Sequence, residues 1–217
     1  WAIDDGMRLS FVARHNDGRS AFDDDADFDG FIEDQNRVSE FRHSTIGLQG
    51  NYDSANNRIK HKLLIAQSKN NSNNFDDGLL GNRSSATKDQ FQYVGSVFWD
   101  DSAQRISLLL EHESERFNQT GPFFSGEGAG RDLKRVTDSV ALEYRVDVTD
   151  SLTLAASWRY DDNSEFDSAE TLRFEASYHV SDETRLRGAW GTAIKNPTFT
   201  ERFAVFGFFV GNPNLIP

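Results

Sequence analysis

The sequence predicts an all-β protein: an antiparallel, up-and-down transmembrane β-barrel, here a partial barrel of about nine to ten strands. Three observations predict it. Apolar and polar residues alternate along many segments, which gives a strand one apolar and one polar face. Short turns and longer connections alternate along the chain, which sorts them to opposite ends of an up-and-down sheet. The polar face also carries many full charges, which suit a wide, wet lumen better than a small packed interior.

Composition alone points elsewhere. The chain has 217 residues, enough for one or two domains, and is 37% hydrophobic and 12% aromatic. A mean hydropathy of -0.63 reads as a soluble, acidic, β-rich protein. No run of about 18 apolar residues exists, so no transmembrane helix is possible. Membrane strands escape that test, because each needs only about 10 residues, half of them facing lipid. The pattern therefore has to overturn the composition. Cysteine is absent, which removes disulfides and thiolate metal sites. A net charge of -12 argues against nucleic acid. Trp1-Ala2-Ile3-Asp4 lacks the basic start and apolar run of a signal peptide. A surface barrel needs export, so the chain is expected to be an internal segment of a longer precursor.

Asp4-Asp5-Gly6 is a turn signal, after which Met7, Leu9, Phe11 and Ala13 alternate with Arg8, Ser10, Val12 and Arg14. From His15 to about Arg37 the alternation stops, and a loop with an acidic core is expected. A second strand emerges over about Val38 to Tyr52, and a short turn at Ser54-Ala55-Asn56-Asn57 leads to Ile59, His61, Leu63 and Ile65. The asparagine-rich stretch from Lys69 to about Asp89 reads as a second long loop. Phe91, Tyr93, Gly95, Val97 and Trp99 form the next strand, and Ile106, Leu108 and Leu110 return. Phe117 to about Lys134 reads as a third long loop. Val140, Leu142, Tyr144, Val146 and Val148 line one side of the cleanest strand, which turns at Thr149-Asp150-Ser151 into Leu152, Leu154, Ala156, Trp158 and Tyr160. After a shorter loop, Leu172, Phe174, Ala176, Tyr178 and Val180 pair with Leu186, Gly188, Trp190, Thr192 and Ile194 across a tight turn. Tyr52, Trp99, Trp158, Tyr160 and Trp190 collect near strand ends, as interfacial aromatic girdles do. Arg8, Lys60, Lys62, Glu143, Arg145, Asp147, Arg159, Arg173, Glu175, Arg185 and Arg187 fall on the other, inner face.

Two stretches suggest sites. Asp25, Asp27 and Asp29 before Gly30 fit the opening of a D-x-D-x-D-G calcium loop, whose clustered charges a hard cation would relieve. The twelfth position is Asn36 rather than a bidentate Glu, so a full helix-flanked loop is not expected; a solvated acidic loop is the alternative. Phe199, Phe203, Phe206, Phe208 and Phe209 cluster in a long loop, as contacts for a large, partly apolar ligand or as loop packing. Other chemistry is not supported. The five histidines show no i, i+4 pair for zinc. Gly126-Glu127-Gly128-Ala129-Gly130-Arg131 lacks the Lys-Ser/Thr of a phosphate loop. No nucleophile elbow or catalytic carboxylate pair stands out, and no enzyme is expected.

The segment from Ala169 to Pro217 also carries two spaced motifs: Gly191, Thr192, Lys195 and Pro197, then Gly211, Asn212, Pro213, Leu215 and Pro217. Together, after an alternating strand, they resemble the barrel of TonB-dependent outer-membrane receptors. Members of that family usually place Glu after the last Pro, where this chain stops. The resemblance implies a barrel of about 22 strands around an N-terminal plug. On that basis the chain is under half a barrel and lacks the plug, the TonB-contacting segment and the closing C-terminal strand. It implies TonB-driven uptake, with outer-membrane lipid as surroundings and TonB as partner through the missing plug. Within the family, Asp27-Phe28-Asp29-Gly30-Phe31 is similar to an apical loop of cobalamin transporters whose aspartates hold calcium, with further aspartates from the next loop. Asn74-Phe75-Asp76-Asp77 matches that next loop, adding Asp76 to the expected calcium ligands. Arg159-Tyr160-Asp161-Asp162-Asn163-Ser164-Glu165-Phe166 resembles a third stretch of that subgroup. Cobalamin or a related corrinoid is the expected ligand. A ferric-siderophore receptor is the alternative within the family. A soluble calcium-binding β-domain of a secreted adhesin is the alternative outside it, and would pack its apolar stripes against a second sheet.

Overall fold

The computed structural model describes residues 6–25, 30–54, 56–101, 103–121, 130, 132–203, 205–206 and 209–217. Nine strands form one sheet in strictly sequential order: β1 (Met7–Asp24), β2 (Glu33–Asp53), β3 (Ile59–Asp76), β4 (Leu79–Trp99), β5 (Gln104–Thr120), β6 (Asp132–Asp147), β7 (Leu152–Asn163), β8 (Ala169–His179) and β9 (Arg185–Gly191). Every neighbouring pair is antiparallel. A five-residue helix, α1 (Phe199–Phe203), and a two-stranded ribbon, β10 (Val205–Phe206) with β11 (Phe209–Val210), follow.

The register turns alternation along each strand into rows across the sheet. Phe11, Leu48, Ile65 and Phe91 share one row. Ile59, Val97, Ile106, Tyr144, Ala156, Phe174 and Trp190 share another. The opposite face holds the charged set: Lys60, Ser96, Ser107, Glu143, Ser157 and Arg173 form one of its rows. The upper margin of the apolar band lies at Phe11 on β1 and at Trp190 on β9. By register these are six residues apart, the span from Ile59 to Ile65 on β3. Six residues is about 20 Å along a strand, against about 38 Å across eight inter-strand steps. The strands therefore tilt on the order of 30° to the band, close to the slant a barrel wall requires.

This sheet has almost no core. Among the described residues only Val38 and Phe199 are buried hydrophobics, and no large side chain is fully enclosed. Phe11, Ile46, Ile65, Phe174, Leu186 and Trp190 are about half exposed or more, in contiguous rows. No second sheet covers them among the described residues, so the packing required by a soluble sandwich is not found. A continuous apolar stripe on one layer is the surface a membrane covers.

The strands are much longer than the hydropathy pattern indicates. The stretches read as long loops, His15 to Arg37 and Lys69 to Asp89, are mostly β1–β2 and β3–β4 ladder. The reason is physical: above the apolar band both faces are wet, so alternation of hydropathy disappears while backbone pairing continues. β3 and β4 close at Asp77-Gly78, both at positive φ (48° and 77°), the geometry of a two-residue hairpin turn. Of the third expected loop, only the ends are strand, β5 continuing to Thr120 and β6 beginning at Asp132; most of the residues between lie outside the described set. In the other direction, β9 stops at Gly191, so Thr192 and Ile194 lie beyond it. The aromatics at the band margins stack in pairs. Tyr52 and Tyr93 flank His61, with His61 Nδ1 2.7 Å from the Tyr93 hydroxyl. Gly95 leaves room for that hydroxyl, since a Cβ there would lie 2.8 Å from it.

Candidate ligand-capture end of the sheet

The end of the sheet away from the short turns gathers the polar face, α1 and the acidic hairpin tips. On the polar face the upper strands carry an ionic network in neighbouring clusters. Arg159 Nη2 donates to Glu111 Oε2 at 3.0 Å and to Ser139 Oγ at 2.8 Å, while its Nε donates to Asp161 at 2.8 Å. Gln90 donates to the other Glu111 oxygen at 2.6 Å, and Lys88 pairs with Glu113 at 2.5 Å. Glu111 and Asp161 are largely shielded from solvent, at 10% and 15% side-chain exposure. Shared donors of this kind offset the cost of removing such charges from water.

Arg135 ties the segment after β9 to this network. Its Nε and Nη2 donate to Glu115, Nη1 donates to the Pro197 carbonyl at 2.8 Å, and the guanidinium lies 5.1 Å from the Phe199 ring centre. Phe199 stacks on Phe117 of β5 at 5.9 Å with planes 10° apart. The segment thus folds over the polar face. A capping box starts α1: Thr198 Oγ1 accepts Glu201 N–H at 3.1 Å, and Glu201 Oε2 accepts Thr198 N–H at 2.7 Å. Lys195 donates to Glu201 Oε1 at 3.2 Å. The Thr198 backbone bond first, then Lys195, hold the Glu201 carboxyl down to about 2. Arg202 completes the anchor. It donates to Glu165 at 3.1 Å and to the Pro213 carbonyl at 3.3 Å, and lies over the rings of Phe166 and Phe203. The second motif, through Pro213, is thereby fastened to the β7–β8 connection.

The expected site residues that are described fall at this same end. Asp25 follows β1, and its carboxylate accepts Gly30 N–H at 2.8 Å. Asp76 ends β3, with Arg37 Nε 3.8 Å away. The Asp77 N–H donates to the Asn36 carbonyl at 3.0 Å, so the β3–β4 tip lies against the upper end of β2. Asp27 and Asp29 lie outside the described residues. Phe199 is buried against Phe117, and Phe203 is partly covered beneath Arg202. Phe206 is in β10, its side chain outside the described set, as is Phe208. Arg159 sits on β7 and faces the polar network, on the inner face where the alternation places it. Sequence reasoning did not single out Arg135, Glu115, Glu111 or Arg202. The Thr198-x-x-Glu201 spacing is a capping signal that could have located α1.

Residues 2–217 match the family model described as TonB dependent receptor-like, beta-barrel. The chain belongs to that family. It is 23% identical over 215 residues to the vitamin B12 transporter BtuB of Photobacterium profundum, covering 99% of this chain and 32% of that protein. Among solved structures it resembles the siderophore receptor PirA of Acinetobacter baumannii, with a TM-score of 0.75 and 16% identity over 93% of this chain and 33% of that one. PirA of Pseudomonas aeruginosa gives a TM-score of 0.67 and 11% identity, again over 93% and 33%. These likenesses show the fold: the nine strands follow part of such a β-barrel. The chain spans about a third of the length of the relatives it matches. The TonB-dependent family is one of transport receptors in the Gram-negative outer membrane, and its members are not enzymes.

Proposed function

We propose that this chain is the barrel portion of a receptor that takes up cobalamin or a related corrinoid by TonB-dependent active transport, the transport itself being the work of the whole receptor. The observation that carries this reading is the match of nearly the entire chain to a vitamin B12 transporter. The acidic β3–β4 tip supports it by lying against the upper end of β2, the strand that follows the Asp25 loop. Calcium, held by Asp25, Asp27, Asp29 and Asp76, would tie the tips together in an ordered rim. Phe203, Phe206 and Phe208 would offer apolar contacts to the ligand, while Phe199 holds α1 in place. Energy would arrive through a plug and TonB.

The test is titration of the full-length receptor with cyanocobalamin, followed by intrinsic fluorescence, with calcium and then with a chelator. Tight binding that weakens at least about ten-fold on chelation is expected, because the aspartates then repel one another unscreened. No binding in either condition would remove cobalamin and put a ferric siderophore ahead. Binding indifferent to calcium would keep the ligand and remove the role given to the four aspartates.

A further inference from the structure

Above the apolar band the two faces of the strands differ in charge. On the polar face, three successive cross-strand rows hold no Asp, Glu, Lys or Arg among the described residues. Asn16, His43, Asn70, Ala86, Phe117 and Leu133 form the lowest. Gly18, Phe41, Ser72, Ser84 and Gln119 form the next. Ser20, Ser39, Asn74 and Asn82 form the third. The outward rows interleaved with them carry Asp17, Arg19, Glu40, Arg42, Lys69 and Arg83. The same strands at the same height are therefore charged on one side and neutral on the other, so contact with water does not by itself account for the neutral side. Ion pairs resume just below these rows, at Glu115 with Arg135, and just above them, at Arg37 with Asp76.

The neutral wall offers hydrogen bonds and an aromatic platform. The side chains of Asn16, Asn70, Ser72, Ser84 and Gln119 have no hydrogen-bond partner among the described residues. Each primary amide among them presents both donors and an acceptor. Phe41 stands directly opposite Gly18, and its ring crosses the glycine so closely that a Cβ there would lie 2.4 Å from it. The missing side chain lets the ring rest against the wall, where Phe41 stays 46% exposed. Three rows on five strands measure about 13 Å by 19 Å, a field wide enough for a macrocycle. A charged ligand group placed here would shed water and meet no counter-charge. An uncharged amide would exchange its water for matched donors and acceptors. We infer that this wall is a subsite for an uncharged, carboxamide-bearing ligand surface seated against Phe41, and that it discriminates against anionic ligands. The inference rests on the corrinoid reading, and adds to it how a neutral corrinoid is told from an anionic ferric chelate.

The test measures equilibrium binding to the full-length receptor in detergent. The probes are cyanocobalamin, the set of its monocarboxylates, each with one side-chain amide hydrolysed, and a trianionic ferric catecholate. Wild type should bind cyanocobalamin at least about ten-fold more tightly than one or more of the monocarboxylates, because the new charge finds no partner on the wall. Ser72→Lys places a cation beside Phe41 and Ser84, and should reduce that preference at least about ten-fold. Asn71→Lys, one residue away on the outward face of β3, should leave the preference unchanged and controls for the added charge itself. Equal affinity of wild type for cyanocobalamin and all its monocarboxylates, or equal effects of the two lysine variants, would overturn the subsite and leave corrinoid uptake standing. Absence of cyanocobalamin binding, with or without binding of the ferric catecholate, would remove the corrinoid reading and the subsite together.

Discussion

Glu201 shows how one residue holds a loop. Its two oxygens accept the Thr198 N–H and hydroxyl on one side and Lys195 on the other, which fixes the start of α1 and therefore where Phe199 inserts. Those bonds keep its carboxyl near 2, below the ordinary 4.5. A carboxyl depressed in the folded loop binds its proton more readily when the loop is open. Its contribution is therefore complete above 4.5 and is lost as pH falls towards 2. Carboxyl-carbon NMR of the receptor should place the Glu201 midpoint near 2, with Lys195→Ala and Thr198→Ala each raising it. A wild-type midpoint at 4.5 would show that the cap does not form in solution. At this scale the sequence was partly legible. Lys195 and Pro197 stood out as motif members, and Thr198-x-x-Glu201 was readable as a cap. Arg135 was not, because its partners Glu115 and Pro197 lie 20 and 62 residues away and nothing local marks them.

The strands obey two different rules along their length. Within the band, Ile106, Leu108 and Leu110 alternate with Ser107 and Leu109, and their periodicity was visible without coordinates. Above it, Lys69-Asn70-Asn71-Ser72-Asn73-Asn74 has no apolar face, yet it pairs residue by residue with β2 and β4. Hydropathy records which side is dry, and here neither is. The Asp77-Gly78 turn was the local clue that a hairpin, rather than a loop, closes this stretch. The two faces of β5 give a direct test inside the band. Leu108→Arg, near mid-band and facing outward, should cost about 2–4 kcal/mol in reversible unfolding from lipid vesicles. Ser107→Arg, one residue away on the polar face beside Glu143, should cost under about 1 kcal/mol. Equal costs would mean that the apolar rows do not face lipid.

At the scale of the molecule, the single-layer sheet explains why composition misled. A mean hydropathy of -0.63 belongs to a chain whose polar face, tall upper strands and acidic tips outweigh one apolar stripe. Cross-strand rows, which composition cannot contain, reveal that stripe and its slant. The central claim is that the upper end captures a corrinoid for TonB-driven entry. Its most direct measurement is uptake of labelled cyanocobalamin by Gram-negative cells whose only corrinoid receptor is the full-length form of this protein, with and without TonB. Accumulation that requires both the receptor and TonB is the predicted result. A receptor that is folded in the outer membrane but gives no uptake above receptor-free cells would contradict it.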